Sequence, residues 1–377
     1  MHALLLTGQN QYGVVSHFLA GIIADLKQMA IDTALLNAES PDTLKAGLET
    51  LPSLSSFDFV ISFNGVGLGK WPDGTDVCAL APSIPIYVFC VDHPIHVLRR
   101  IWGMKVRLLC IDQEHVQFAS LCGFKAEYFA HAISSAKTNR YSQTATEYKH
   151  DTVLFPASYI DKNYYHKQLA SCWDNLGYAI EQCTSVSRFM EVICVLPAAG
   201  KPARLGLDKH VLKLCILVDK YLRAKQREAR LHYFDAEDVT LTVVGRQSEK
   251  YQSVAPRHHY SAGLPFDDLL TAMSTARFVV HHSPGFERGL HERVVYPLAM
   301  GTPVVAVDCP YVNQTMGSGV VTPAQFFAGI DDKDYDRRRT QARQQVFRHH
   351  TWLCRLEKML STLPSDLPGD ETTQKTV

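Results

Sequence analysis

Apolar residues along the chain gather into short runs separated by amphipathic stretches. Ala3–Thr7, Thr33–Asn37, Asp58–Phe63, Ile86–Val91, Val106–Ile111 and Glu127–Ala130 read as strands. Most are apolar throughout rather than alternating, which predicts strands covered on both faces, as in a parallel sheet. Between the first two, Val14–Ala30 repeats apolar residues at three- and four-residue spacing, the pattern of an amphipathic helix. Strand, helix and strand in that order predict a doubly wound domain over residues 1–135. The composition then turns polar from Ser134 to about His150, as in a linker. A second α/β run follows over residues 151–330. Its expected strands are Asp151–Phe155, Val239–Val244, Phe278–His282 and Pro303–Val307. Its expected helices are Tyr164–Leu196, Asp208–Arg230, Phe266–Thr275 and Gly289–Met300. Residues 331–363 read as a charged helix packing back across the domains, and 364–377 as a disordered polar tail. The predicted class is α/β, two Rossmann-like domains with a cleft between them.

Composition narrows the partners. A length of 377 residues suits two such domains, and 46% hydrophobic with 20% charged residues is globular. Thirty-eight basic residues balance thirty-eight acidic ones, so no electrostatic grip on nucleic acid or an acidic membrane surface is expected. Ligand charge must then be met by local groups. The opening MHALLLTGQNQYG has no basic leader or cleavage site and reads as a buried strand rather than a signal peptide. No run approaches the roughly 18–20 apolar residues of a membrane span. The ten cysteines form no C-x-x-C pair and read as reduced buried thiols, which points to the cytoplasm.

In a doubly wound sheet, ligands bind where strands end and loops enter helices. Strand Phe278–His282 runs into Ser283, Pro284, Gly285, Phe286, Glu287, Arg288 and Gly289, with a helix expected at once. Glycines admit a ligand close to the backbone, and a helix N-terminus offers N–H groups to an anion such as a diphosphate. Arg288 and Arg293 could add charge. The alternative is an ordinary loop with solvated charges. Gly8 to Gly13 and Asn64-Gly65-Val66-Gly67-Leu68-Gly69 are glycine-rich strand ends that match neither phosphate-loop pattern and also fit plain turns. Asp92-His93-Pro94 follows a very apolar run. Asp92 or His93 could take a proton from an acceptor hydroxyl, the aspartate raising the histidine's basicity, or Asp92 could cap the helix that Pro94 begins. His131 is a weaker candidate of the same kind. Asp332-Lys333-Asp334 and Asp334-Tyr335-Asp336 match a metal-holding D-x-D pattern but read as the acidic start of a helix. The pair His258-His259 lacks a third metal ligand.

The stretch HHYSAGLPFDDLLTAMSTARFVVHHSPGFERGLHERVVYPLAMGTPVVAVDC resembles the C-terminal domain of CgeB-like glycosyltransferases, relatives of the broad GT-B group. The family's G-x-H-x-R pattern is matched by Gly289-Leu290-His291-Glu292-Arg293, and its A-x-G turn by Ala299-Met300-Gly301. Arg348-His349-His350-Thr351-Trp352-Leu353-Cys354-Arg355 is similar to the helix that closes the family. The resemblance implies a GT-B fold and a metal-independent glycosyltransferase without a cofactor. Such an enzyme moves sugar from a nucleotide-diphosphate donor to a glycan, protein or lipid acceptor. It implies donor contacts from Gly245, Arg246, Ser283, Gly285, Glu287, Arg288, Gly289, His291, Glu292 and Arg293, with loops at Gly13, Asn64, Gly65 and His131 on the acceptor side. Tyr296 stands where the family pattern has a ribose-binding carboxylate, so Glu292 or Glu287 would take that contact. The same departure leaves a catalytically degenerate binding protein as the second reading.

Overall fold

The computed structural model describes residues 1–8, 11–71, 74–80, 82–137, 150–196, 207–282 and 284–362. They form two compact units, one from Met1–Lys137 with His349–Thr362 and the other from His150–Arg348.

The first unit holds six strands: β1 (His2–Thr7), β2 (Asp32–Asn37), β3 (Phe59–Phe63), β4 (Ile86–Cys90), β5 (Arg107–Cys110) and β6 (Lys125–Tyr128). All pair in parallel, in the order β2-β1-β3-β4-β5-β6. β3 and β4 are buried along their whole length, which is why they read as unbroken apolar runs. Sequence order runs outward one way from β1 and the other way from β3, so the switch point lies between their carboxyl ends. Helix Val14–Gln28 lays Phe18, Leu19, Ile22 and Leu26 into the core.

The chain returns to this unit at its end. The charged stretch expected as one helix is two, Asp332–His349 and Trp352–Ser361, with Thr351 capping the second by accepting from Cys354 N–H at 3.3 Å. Fully buried Asp25 holds the joint. Its carboxylate accepts from Ser134 Oγ at 2.8 Å and from the N–H groups of Ser135 and Leu353, both at 2.9 Å. A buried carboxylate is tolerable only when so fully hydrogen-bonded. Trp352 is completely buried beside Phe18, Phe89 and Phe129. Burial of one such ring stabilises by about 2–3 kcal/mol.

The second unit holds β7 (His150–Pro156), β8 (Leu241–Val244), β9 (His259–Ser261), β10 (Ala276–His281), β11 (Val304–Ala306) and β12 (Val320–Val321). The parallel order is β12-β11-β10-β7-β8-β9. It counts outward from β7 on one side and from β10 on the other, the dinucleotide-fold order with its switch point between those strands. The expected helix Tyr164–Leu196 is three: Lys162–Gln168, Ala170–Glu181 and Val186–Val192, the last started by Ser185, which accepts from Arg188 N–H at 3.2 Å. Helix Lys209–Ala236 is longer than its apolar stripe suggested and begins at Asp208, which accepts from His210 and Val211 N–H. Its far end packs Leu231 and Phe234 with Phe155, Val243, Tyr251 and Phe278.

Candidate functional site

The switch point of the second unit is lined by groups that local sequence rules place there. β10 ends in His281, and His282 follows; both are buried, 1% and 6% exposed. Burial pushes both imidazoles well below the ordinary histidine value. His291, Arg293 and His282 add to the shift at His281, and Arg230, Arg227 and Arg293 to that at His282. At neutral pH both are therefore uncharged. Neither Nδ1 has a hydrogen-bond partner among the described residues.

Helix Lys209–Ala236 brings Arg223, Arg227 and Arg230 to one face, at spacings of four and three. Arg223 Nε pairs with Asp219 at 2.8 Å, and the guanidinium lies 5.2 Å over the Phe286 ring. Arg227 Nη1 donates to the Ser158 carbonyl, just beyond β7, at 2.5 Å. Arg230 pairs with Asp308. From the opposite side Arg293, on helix Glu292–Ala299, donates to the Pro156 carbonyl at 2.9 Å and so ties that helix to the end of β7. Its Nε is 3.6 Å from Glu292. Four guanidinium groups thus surround the carboxyl ends of β7 and β10, and Asp219, Glu292 and Asp308 offset three of them. Arg227 pairs with no carboxylate among the described residues. Burial lowers its pKa to about 10, with the Tyr251 hydroxyl opposing and Arg293 and Arg223 reinforcing the shift. A desolvated cation beside other cations is a place where an anion is stabilised most.

The other sequence candidates in this unit sort themselves by geometry. The helix starts at Glu292 rather than Gly289; His291 is its N-cap residue and makes no side-chain cap. The preceding loop is long enough to turn at Gly285, whose φ of 81° is in the left-handed region. His291 Nδ1 pairs with Glu292, so these two and Arg293 form one linked group. Glu287 accepts from Thr184 Oγ1 at 2.5 Å and lies 4.0 Å from Arg188 Nε, away from that group. Arg288 is exposed, and Ser283 lies outside the described residues. Gly245 is glycine because a Cβ there would meet the Ala157 carbonyl oxygen at 2.3 Å, a close approach of two loops. Arg246 is exposed; its N–H donates to Ser158 Oγ at 3.2 Å. Tyr296 is 1% exposed and packs edge-on to Phe266 at 5.4 Å, so it is a core residue. His258 is structural: its Nδ1 accepts from Leu241 N–H at 3.2 Å, and its Nε2 meets the Leu231 carbonyl at 2.9 Å. Asp332 and Asp334 lie in the first turn of their helix, and Asp334 pairs with Arg337 and Arg338.

At the first unit's switch point the groups are mostly neutral. Asn64 (φ 49°) and Gly65 (φ 69°) turn the chain beyond β3. Asn64 Oδ1 accepts from Val91 N–H at 3.0 Å, and its Nδ2 donates to Asp92 Oδ2 at 3.2 Å. Arg100 donates to the Asn64 carbonyl at 2.6 Å. Gly13 (φ 74°) precedes helix Val14–Gln28 on an exposed turn. The pairing expected between Asp92 and His93 is absent among the described contacts. His93 is fully buried, and its own Nδ1 caps the short turn by accepting from Ile95 N–H at 3.1 Å. Its ring packs on His115 at 4.4 Å and Phe118 at 4.9 Å. The cap is therefore His93 rather than Asp92, and His93 is a core histidine. Asp92 remains half-buried at the strand end. His131 is buried among Phe18, Phe89 and Trp352.

Sequence reasoning passed over Arg223, Arg227 and Arg230. Their signal was an arginine stripe at helical spacing, which reads equally as a solvated face until the sheet it packs on is known.

No family model matches the chain, and no curated protein matches it. Solved structures do. One is AviGT4, a glycosyltransferase involved in avilamycin A biosynthesis, with a TM-score of 0.52, 12% identity and 96% of each chain covered. Another is an alpha-glucosyltransferase in complex with UDP-glucose and DNA containing an abasic site, at TM-score 0.55 and 12% identity over 96% of this chain and 99% of that one. A third is a DNA-modifying beta-glucosyltransferase, at TM-score 0.54 and 11% identity over the same shares. These likenesses, with the two six-stranded parallel sheets, show a GT-B fold of two Rossmann-like domains. They also overturn the exclusion of nucleic acid as a partner class. Proteins of this fold act on DNA, and a whole-chain charge of zero does not report the local fields that decide such contacts. Among the described residues no helix is long and apolar enough to cross a membrane.

Proposed function

We propose that the protein is a glycosyltransferase that moves a sugar from a nucleotide-diphosphate donor to an acceptor hydroxyl or similar nucleophile. The observation that carries this reading is the guanidinium group around the ends of β7 and β10, with Arg227 lacking a carboxylate partner among the described residues. A diphosphate leaving group gains negative charge as the glycosidic bond breaks. Arginines fixed by Ser158, Pro156, Asp219 and Asp308 are oriented before it arrives, so they stabilise that charge without reorganising. The neutral, buried His281 and His282 supply hydrogen-bonding groups without adding charge. In this reading the arginines replace a divalent cation, and turnover persists in excess EDTA. The first unit presents the acceptor, with Asp92, half-buried and oriented by Asn64, taking its proton. Acceptors to be tried include glycans, proteins, lipids and DNA, since similar folds act on the last. The narrower CgeB-like assignment rests on the G-x-H-x-R and closing-helix motifs.

Tyr296 favours a second reading. A fully buried tyrosine where the family pattern has a ribose-binding carboxylate fits a protein that binds a saccharide or a partner without turnover. Release of nucleotide from a panel of UDP-, GDP-, TDP- and CMP-sugars separates the two. Transfer or slow hydrolysis supports the enzyme; binding with no release supports the second reading; no binding removes both.

A further inference from the structure

Beyond the arginines, the second unit opens into a cavity of about 380 Å³ past the ends of β11 and β12. That is near the lower end of the roughly 300–1,000 Å³ typical of small-ligand pockets. It is lined by four side chains rich in hydrogen-bonding atoms, Asp308, Asn313, Gln314 and Thr322. No aromatic residue is among its lining, and Pro310 and Pro323 supply apolar walls. The side-chain amides of Asn313 and Gln314 have no partner among the described residues. Thr322 Oγ1 accepts from Gln325 N–H at 3.3 Å, which leaves its hydroxyl hydrogen free to be directed elsewhere. Asp308 sits at φ 51°, a left-handed conformation that aspartate tolerates better than most residues, and is anchored by Arg230.

Arg230 connects this cavity to the anion site. It acts on His282 together with Arg227 and Arg293, and it pairs with Asp308 on the cavity wall. A diphosphate held by the arginines would therefore place one of its two substituents here. The chemistry of the lining decides which. A nucleobase gains most from flat stacking faces, and none is offered. A sugar ring presents several hydroxyls, each both donor and acceptor, and two amides with a carboxylate and a hydroxyl match them. We propose that this cavity is the saccharide subsite of the donor, selecting a neutral hexose through Asn313 and Gln314.

This assignment rests on the nucleotide-sugar reading above, and one titration separates the two. Calorimetry compares UDP with UDP-glucose, and GDP with GDP-mannose, on the full chain and on an Asn313→Ala/Gln314→Ala variant. Both residues are at least partly exposed, so the variant should fold, and an unchanged melting temperature checks that. The expected result is that one sugar nucleotide binds the native chain more tightly than its nucleoside diphosphate. The variant should lose that increment, about tenfold, while its diphosphate affinity stays within twofold. An increment retained in full overturns the cavity assignment and leaves the nucleotide reading intact. A native chain that binds no nucleotide or sugar nucleotide in the series overturns the nucleotide-sugar reading, and this one with it.

Discussion

The two units are built on the same plan, six parallel strands fanned about a switch point, yet they furnish that point differently. At the ends of β1 and β3 the chain places Gly13, Asn64, Gly65 and a single carboxylate, Asp92, and Arg100 is engaged with a backbone carbonyl. At the ends of β7 and β10 it places four arginines, two neutral buried histidines and the His291–Glu292 pair. The topology explains why both places can hold a ligand. Only the side chains say which ligand. The cationic end suits an anion and the carboxylate end suits a hydroxyl that must lose a proton, a division of labour that neither sheet order nor net charge would reveal.

The sharpest way to break this comparison is to remove the one carboxylate of the first unit. Asp92→Asn keeps the hydrogen-bonding shape but cannot accept a proton, so turnover should fall about 10²–10⁴-fold. Nucleoside diphosphate affinity should stay within twofold, as read by stopped assay and calorimetry on the same preparation. Equal losses of both would mean that the two ends do not divide the work. The complementary change, Arg227→Ala, should weaken UDP or GDP binding by about 10–100-fold, the range for a charged hydrogen bond. Arg227→Lys should recover only part of it, because an ammonium cannot span the same fork.

Acidity offers a smaller, graded test. His281 and His282 are held neutral in the folded second unit, with pKa values well below the unfolded value of about 6.5. Above that value neither state binds a proton there and stability is level. As pH falls through it, the unfolded chain takes up protons that the folded chain does not, and stability declines. Lowering pH from 7 to 6 should therefore cost about 1–2 kcal/mol, seen as a falling melting temperature that His281→Phe partly flattens. His350 in the first unit, brought to about 4 by burial and then Arg355, has the same sign. The smallest effect belongs to Gly13→Ala. The added Cβ meets nothing within 4 Å, so only the left-handed φ of 74° is penalised, about 1 kcal/mol in a urea titration.

Much of the fold can be read from the chain because buried parallel strands such as Ile86–Cys90 and Ala276–His281 must be apolar throughout. What escaped notice was short or ambiguous. β9 is His-Tyr-Ser and β12 is Val-Val, too brief for any period to show. The stretch from Lys162 to Val192 carries a continuous helical pattern, and its breaks come from local caps such as Ser185. The site was less legible. The Gly289–Arg293 motif pointed to the right loop. His93 looked catalytic because strand ends usually are exposed, whereas this one folds under a turn that buries it. The arginine stripe was invisible for the opposite reason, since a polar helix face gives no sign that it packs over a strand end. Net charge misled in the same way, averaging a cationic site against acidic surface elsewhere.

The central claim is that the second unit's switch point recognises a diphosphate. Calorimetric titration of UDP, GDP and TDP against the matching nucleosides, at two salt concentrations, tests it directly. The account predicts that at least one nucleoside diphosphate binds about a hundredfold more tightly than its nucleoside, weakens as salt rises, and is displaced by inorganic pyrophosphate. Equal binding of diphosphates and nucleosides, or no binding of any of them, would contradict it.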